Sequence, residues 1–181
     1  DQYEPKTIDP TLMDYPEEGS DYVTVIQTDK PEYEWSEATL NFKRPDKNNL
    51  VIYELWVYDH TQHRSIAGLL ERMDYFEDMG VNAIELMPIT EFDGNENWGY
   101  SPNHYFALDK AYGTPEQMKT FVDECHKRGI AVILDMVFNH STGLNPMNKL
   151  YPYGDDLKYN PWFNVNAPHS DNVYEDWNHD F

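Results

Sequence analysis

Three short apolar runs, separated by helical stripes, limit this chain more than anything else in it. They are Leu50-Val51-Ile52-Tyr53-Glu54-Leu55-Trp56-Val57, Asn82-Ala83-Ile84-Glu85-Leu86-Met87 and Ile130-Ala131-Val132-Ile133-Leu134-Asp135-Met136-Val137. Runs of this length with few polar residues suit strands buried on both faces. Between the first two, Ile66, Leu69, Leu70, Met73 and Phe76 recur every three or four residues as the stripe of an amphipathic helix. Ser65 is placed to cap its start and Gly80 to end it. Before the third run, Thr114-Pro115-Glu116-Gln117 puts Thr at the N-cap, Pro at the first helical position and Gln at the third, a capping box. Met118, Phe121, Val122 and Cys125 then give this helix a buried face, and Lys127 and Arg128 sit at its negative end before Gly129. The order β-α-β-α-β predicts neighbouring parallel strands joined by right-handed crossovers.

Two α/β architectures fit that order, the doubly wound sheet and the (β/α)8 TIM barrel. Residues 58–64, which leave the first strand, contain no glycine to let a pyrophosphate approach, which disfavours a dinucleotide site. Helix-to-strand connections are short, whereas two long segments leave the C-terminal ends of strands, where barrel enzymes build their active sites. The expected fold is therefore the N-terminal portion of a TIM barrel, with three strands and two helices over 49–138 and an insertion over 139–181. Residues 1–48 carry Pro5, Pro10, Pro16, Pro31 and Pro45 in a polar, acidic stretch, and their strand-like piece is Tyr22-Val23-Thr24-Val25-Ile26. They are expected to form a strap or the tail of a β-rich domain.

Charge narrows the partners. Among 181 residues, 33 Asp and Glu against 13 Lys and Arg leave a net charge of −20, a field that repels polyanions and argues against nucleic acid. Hydrophobic residues at 40% and aromatics at 15% are too many for a disordered acidic tail. The single cysteine, Cys125, excludes an internal disulfide and a Cys-based zinc site and reads as core. No apolar run approaches the roughly 18 residues of a membrane span, so no membrane partner is expected. The chain opens at Asp1 without a signal-like stretch, so its start is either a processing site or an arbitrary boundary and its compartment stays open.

The densest polar cluster is Asp135-Met136-Val137-Phe138-Asn139-His140. Strand alternation puts Asp135 on the face of Ala131 and Ile133, a carboxylate in an apolar strand that calls for a cationic partner or a donor network. The plainer alternative is that Asp135 marks the strand's end and lies in solvent. Asn139 and His140 follow at the mouth, where an amide and an imidazole suit a sugar hydroxyl or a hard cation equally. The loop Trp98-Gly99-Tyr100-Ser101-Pro102-Asn103-His104-Tyr105-Phe106 offers either a stacking platform for a sugar or a satellite cluster on the rim, the latter expected for two of Trp98, Tyr105 and Phe106. His60 and His63 read as ordinary solvated histidines. Tyr151, Tyr153, Tyr159, Trp162, Phe163, Tyr174 and Trp177 make the last segment aromatic, as a small subdomain would be.

At these residues the chain resembles a known family. From about residue 49 it is similar to the opening third of the catalytic barrel of the α-amylase family, glycoside hydrolase family 13. Gly80 to Pro88 resembles that family's second-strand motif, Trp98-Gly99-Tyr100 its Gly-Tyr loop, and Asp135-Met136-Val137-Phe138-Asn139-His140 its third-strand motif. Asn160-Pro161-Trp162-Phe163-Asn164-Val165 and Asn178-His179-Asp180 look like the pullulanase-like, isoamylase-like and branching members.

The resemblance implies roles. Tyr100, with Trp98 beside it, would stack on the sugar, His140 would bond its hydroxymethyl oxygen, and Asp135 would orient an arginine from the fourth strand. Asn139 matches a calcium ligand of many relatives, so a structural calcium is implied, with no cofactor required. The implied partner is an α-glucan or maltooligosaccharide, cleaved by double displacement with retention. The nucleophilic Asp and the acid/base Glu would lie beyond Phe181, so the 181-residue chain alone is expected to be inactive. A glucan branching or transferase enzyme and a non-catalytic glucan-binding module are the alternatives. Three parallel strands cannot close an eight-stranded barrel, so the isolated chain is expected to self-associate or to need the rest of the barrel.

Overall fold

A computed structural model describes residues 30–94, 96–150, 160–164 and 179–180. The three apolar runs form β1 (Ile52–Leu55), β2 (Ala83–Leu86) and β5 (Ala131–Leu134), each shorter than its run. They make one parallel sheet in the order β1-β2-β5, with Ile52, Ala83 and Ala131 in register at one end and Leu55, Leu86 and Leu134 at the other. Among the described residues, the outer edges of β1 and β5 carry no further strand.

The first helical stripe is divided between two short helices, α3 (Ile66–Leu70) and α4 (Met73–Asp78). Arg72, at φ −110° and ψ 11°, interrupts the helix, yet Ile66, Leu69, Met73 and Phe76 all stay buried. Ser65 caps α3 as expected, accepting from the Gly68 amide, and Gly80 takes a left-handed φ of 70° at the exit. Continuous helix was the expectation; burial of the stripe is preserved by re-aiming the second piece. The second helix, α5 (Pro115–Lys127), has both arms of the Thr114–Gln117 capping box. Phe121 and Cys125 are fully buried on its inner face, and burial pushes the Cys125 thiol up to about 12, which leaves it an inert core group.

These helices cover one face of the sheet. Leu55, Ile84 and Leu86, with Tyr53 and Val132 at its margin, pack against Ile66, Leu69, Met73, Phe76, Phe121 and Cys125. Each fully buried aliphatic side chain contributes about 1.5–3 kcal/mol relative to exposure. On the opposite face β1 is open, with Ile52 47% exposed beside Glu54, whereas Ala83 is fully buried and Glu85, Ala131 and Ile133 are half-buried.

The long segment 89–113 that leaves β2 holds an antiparallel hairpin of β3 (Thr90–Phe92) and β4 (Pro102–Leu108). Two register shifts in a three-residue strand leave no period for the sequence to display. The first run also ends in a single turn, α2 (Val57–His60), where a strand had been expected to reach Val57. His60 is not the solvated histidine expected: its ring stacks on Phe76 at 5.2 Å between centroids, and burial, with Arg72 nearby, lowers its pKa. His63 does face solvent, 3.7 Å from Glu71.

Residues 30–49 form a strap, with α1 (Glu37–Leu40) laid on α5 and a 3-10 turn over Lys47–Asn49. Asp123 on α5 accepts from the Ser36 amide (3.0 Å), the Ser36 hydroxyl (2.7 Å) and the Thr39 hydroxyl (2.6 Å), and pairs with Lys127 (3.0 Å). Phe42 stacks on His126, with ring centroids 3.9 Å apart. The strand expected at 22–26 lies outside the described residues, as do Tyr151, Tyr153, Tyr159, Tyr174 and Trp177. Of the insertion, β6 (His140–Ser141) pairs antiparallel with β7 (His179–Asp180), and α6 (Pro146–Lys149) starts on an Asn145 cap. No helix among the described residues is long and apolar enough to cross a membrane.

Burial alone would raise the Asp123 carboxyl, but the Thr39 and Ser36 hydroxyls and Lys127 outweigh it and hold it well below the usual range. Asp123→Ala is expected to cost about 2–3 kcal/mol in urea unfolding near pH 7, on the scale of hydrogen bonds to a buried charge. Because the folded pKa is depressed, the wild-type advantage is full above the ordinary carboxylate range and fades as the pH falls through it. A variant that matches wild type at pH 7 would show that Asp123 does not hold the strap.

Candidate active site

At the C-terminal end of the sheet, Asp135 follows the last residue of β5, its amide donating to the Leu86 carbonyl at 3.0 Å. It continues the face of Ala131 and Ile133, opposite the helices. It is partly buried, and its Oδ2 accepts the Tyr100 hydroxyl at 2.6 Å. Among the described residues no Lys or Arg pairs with it, so a phenol supplies the donor that the buried carboxylate needs. The strand does end before Asp135, as the plainer reading had it, but the carboxylate is not left in open solvent.

Tyr100 arrives from the loop joining β3 to β4. The loop's base is closed by the Asp93 amide on the Ser101 carbonyl at 2.9 Å. Gly99 sits at φ 93°, and a Cβ there would stand 2.3 Å from the Pro88 carbonyl oxygen, so only glycine fits. The hydrogen bond to Asp135 comes first in raising the Tyr100 pKa to about 12, followed by burial and by the charges of Asp135, Glu54 and Glu85. The phenol is thus held as a neutral donor. His140, on β6, completes the group: its Nε2 lies 2.8 Å from the Tyr100 carbonyl oxygen. Tyr105 on β4 donates to the His140 carbonyl at 2.6 Å, which fixes the backbone behind the imidazole. Tyr100 therefore meets Asp135 through its phenol and His140 through its backbone carbonyl.

The remaining expected residues stand apart. Trp98 is 61% exposed, with its ring available beside Tyr100 in the chain. Phe106 is 84% exposed, so of the three rings expected to supply a two-member rim cluster only Tyr105 packs, against Phe138 at 5.9 Å. Asn139 is exposed, its amide nitrogen 3.4 Å from His140 Nδ1. Calcium takes six to eight oxygens, and the described residues around Asn139 do not by themselves make up such a set.

Two acidic side chains went unremarked in the sequence. Glu54 and Glu85 are direct cross-strand neighbours on β1 and β2, in register with Ile133 on β5. They bring negative charge to the face on which Asp135 stands. The signal was present, since each is the lone carboxylate in an apolar strand run.

Residues 39–181 match the family model for the alpha amylase catalytic domain. The chain belongs to the alpha-amylase family. It is 38% identical over 170 residues to a malto-oligosyltrehalose trehalohydrolase of Saccharolobus solfataricus, covering 91% of this chain and 29% of that protein. It is 37% identical over 112 residues to an intracellular maltogenic amylase of Bacillus subtilis, covering 61% of this chain and 19% of that protein. A Salmonella typhimurium structure described as a candidate alpha amylase superposes with a TM-score of 0.66 at 26% identity, over 95% of this chain and 27% of that one. The chain thus spans under a third of the length of these alpha-amylase relatives. Its parallel sheet and covering helices are part of a (β/α)8 barrel, as expected.

Behind the hairpin of this alpha-amylase unit lies a second polar group. Glu91 and Asp109 are fully buried, and Lys110 reaches Glu91 at 2.7 Å and Asp109 at 3.8 Å. Asp109 Oδ1 accepts the Ala111 amide at 2.9 Å, while Oδ2 has no hydrogen-bond partner among the described residues. Burial first, then the neighbouring Glu91, raises the Asp109 pKa to about 8, with Lys110 opposing. A raised carboxyl pKa makes the folded state bind the proton more tightly than the unfolded one, so stability falls from the ordinary carboxylate range up to about pH 8. Asp109→Asn removes this decline while keeping an oxygen for the Ala111 amide. Urea midpoints at pH 5 and pH 8.5 should differ less in the variant than in wild type; an equal difference in both would count against a protonated Asp109.

Proposed function

We propose that this chain is the front of the catalytic barrel of a glycoside hydrolase that cleaves α-glucans and maltooligosaccharides by double displacement with retention. The observation that carries this reading is that Tyr100 joins two groups at the C-terminal end of the sheet, its phenol on the Asp135 carboxylate and its backbone carbonyl on the His140 imidazole. Barrel enzymes work at that end. In this reading Tyr100 presents its ring to a sugar, fixed edge-on by Asp135. His140, held against the Tyr100 carbonyl, offers a polar edge to the same sugar's hydroxymethyl oxygen. Trp98 extends the stacking surface outward.

Asp135 supports the chemistry and does not perform it. Retention needs a nucleophile and an acid/base about 5–5.5 Å apart. Both are assigned here to the part of the protein that follows Phe181, together with an arginine to face Asp135. A groove of about 1070 Å³ beside β5, lined by apolar side chains (Phe42, Leu50, Val132, Ile133) and charged ones (Arg44, Asp46), would seat further barrel elements. The more specific substrate is malto-oligosyltrehalose. Support for it comes from trehalohydrolases that match this chain at 38% identity over 91% of its length and at 35% over 80%.

The full-length protein is expected to hydrolyse malto-oligosyltrehalose with a higher kcat/KM than a maltooligosaccharide of equal length. Tyr100→Ala and His140→Ala should each lower kcat/KM about 10²-fold, the scale of one preorganised polar group in a site. Full activity in both variants would refute the reading of the site, and a preference for the plain maltooligosaccharide would refute the substrate. The 181-residue chain should show no turnover above an Asp135→Asn control. Left alone, with two open strand edges, it should scatter light as an associated species. A stable, cooperative monomer would contradict that.

A further inference from the structure

Trp56 follows β1 directly and is the N-cap residue of α2. Its indole nitrogen donates to two acceptors at 3.0 Å each, the Asn97 carbonyl and the Tyr112 hydroxyl. Asn97 stands in the loop that delivers Tyr100, and its own side-chain oxygen accepts the Gly99 amide at 2.9 Å. Gly99 is the residue pinned at φ 93° against Pro88, so the chain from Asn97 to Tyr100 has little freedom once Asn97 is fixed. Tyr100 then reaches Asp135 with its hydroxyl and His140 with its carbonyl.

The indole is itself held. One face stacks on Tyr58 with ring centroids 4.9 Å apart, and the Arg64 guanidinium lies 4.3 Å over the Tyr58 ring. Arg64 adopts a left-handed φ of 50°, unusual for a residue other than glycine, and its guanidinium donates to the Tyr58 hydroxyl. Tyr112 is fully buried, edge-on to Phe92 of β3 at 5.7 Å. Trp56 thus sits between rigid neighbours on both sides, and the loop hangs from its N–H.

We propose that Trp56 is a positioning residue, which places Tyr100 over the sugar site by holding the Asn97 carbonyl through its indole N–H. This rests on the reading of Tyr100 as a substrate-binding residue. It adds a side chain just beyond the end of β1 to a site otherwise built from the ends of β2 and β5, the hairpin loop and β6. Tyr58 and Arg64 act one step further back, keeping the indole plane in the orientation that aims its N–H at the loop.

The test compares four substitutions in the full-length protein, read by steady-state kinetics on malto-oligosyltrehalose and by the titration of a 13C-labelled Tyr100 ring. Trp56→Phe keeps a ring and removes the N–H. It should lower kcat/KM about tenfold, the scale of one net hydrogen bond, and should let the Tyr100 phenol titrate at a lower pH than in wild type, as its hydrogen bond to Asp135 loosens. Replacing Trp56 with 3-benzothienylalanine, which exchanges the N–H for sulfur at nearly constant shape, should do the same without disturbing the fold. Trp56→His, whose ring can offer an N–H, should recover part of both losses. Tyr112→Phe leaves the bond to Asn97 intact and should stay within about twofold of wild type.

If the benzothienyl variant leaves both kcat/KM and the Tyr100 titration unchanged, Trp56 does not position Tyr100. A fall in kcat/KM with an unmoved Tyr100 titration would also overturn the proposal, since the loss would then come from general structure. If the titration moves while no form of the protein cleaves an α-glucan, the positioning stands and the hydrolase reading fails.

Discussion

Burial of a single face of the β1-β2-β5 sheet is the constraint from which the rest of this structure follows. Ile84 and Leu86 are wholly enclosed by α3, α4 and α5, and the register that aligns Leu55, Leu86 and Leu134 leaves the alternate residues on the other face. Because side chains alternate strictly in a strand, fixing the aliphatic face fixes the acidic one. Glu54, Glu85 and Asp135 are brought to the uncovered face in this way. The charges that add to the Asp135 hydrogen bond and to burial in raising the Tyr100 pKa thus stand where the placement of the leucines puts them.

Asp135 shows how a polar group in such a strand is stabilised. A carboxylate at the end of an apolar strand is costly unless donors meet it. Here the donor is brought by a loop some 35 residues earlier in the chain, and the loop is held by its own contacts with β1 and with the strand-like turn at Pro88. The site is consequently a junction of three separate chain segments. None of its distances could be set by local conformation alone.

The strap belongs to the same logic on the other side of α5. Ser36, which caps the short helix α1, also donates to Asp123, so one hydroxyl both starts the helix and ties it down. The unit is kept in place by a buried charge, because a four-residue helix has too little apolar surface of its own to hold it. Membership of the alpha-amylase family agrees with this division of labour, since the family match begins inside the strap at residue 39.

Local pattern settled much of this protein. The three strands, the parallel order, the Thr114 capping box, the Ser65 cap and the buried Cys125 could all be read from spacing and motif, because each rests on periodicity or on residues close in the chain, whereas Tyr100, Asp135 and His140 were singled out by family resemblance and are brought together by the fold. Tertiary structure decided the rest. The β3-β4 hairpin pairs three residues with two register shifts, so no alternation advertised it. The break at Arg72, the enclosed ring of His60 and the outward turn of Phe106 depend on what packs against them, and that is set by distant segments. The same holds for Trp56, whose hydrogen bonds reach partners 41 and 56 residues away. Sequence determines which face of each element is apolar, but only folding brings one element's spare donor to another's spare acceptor.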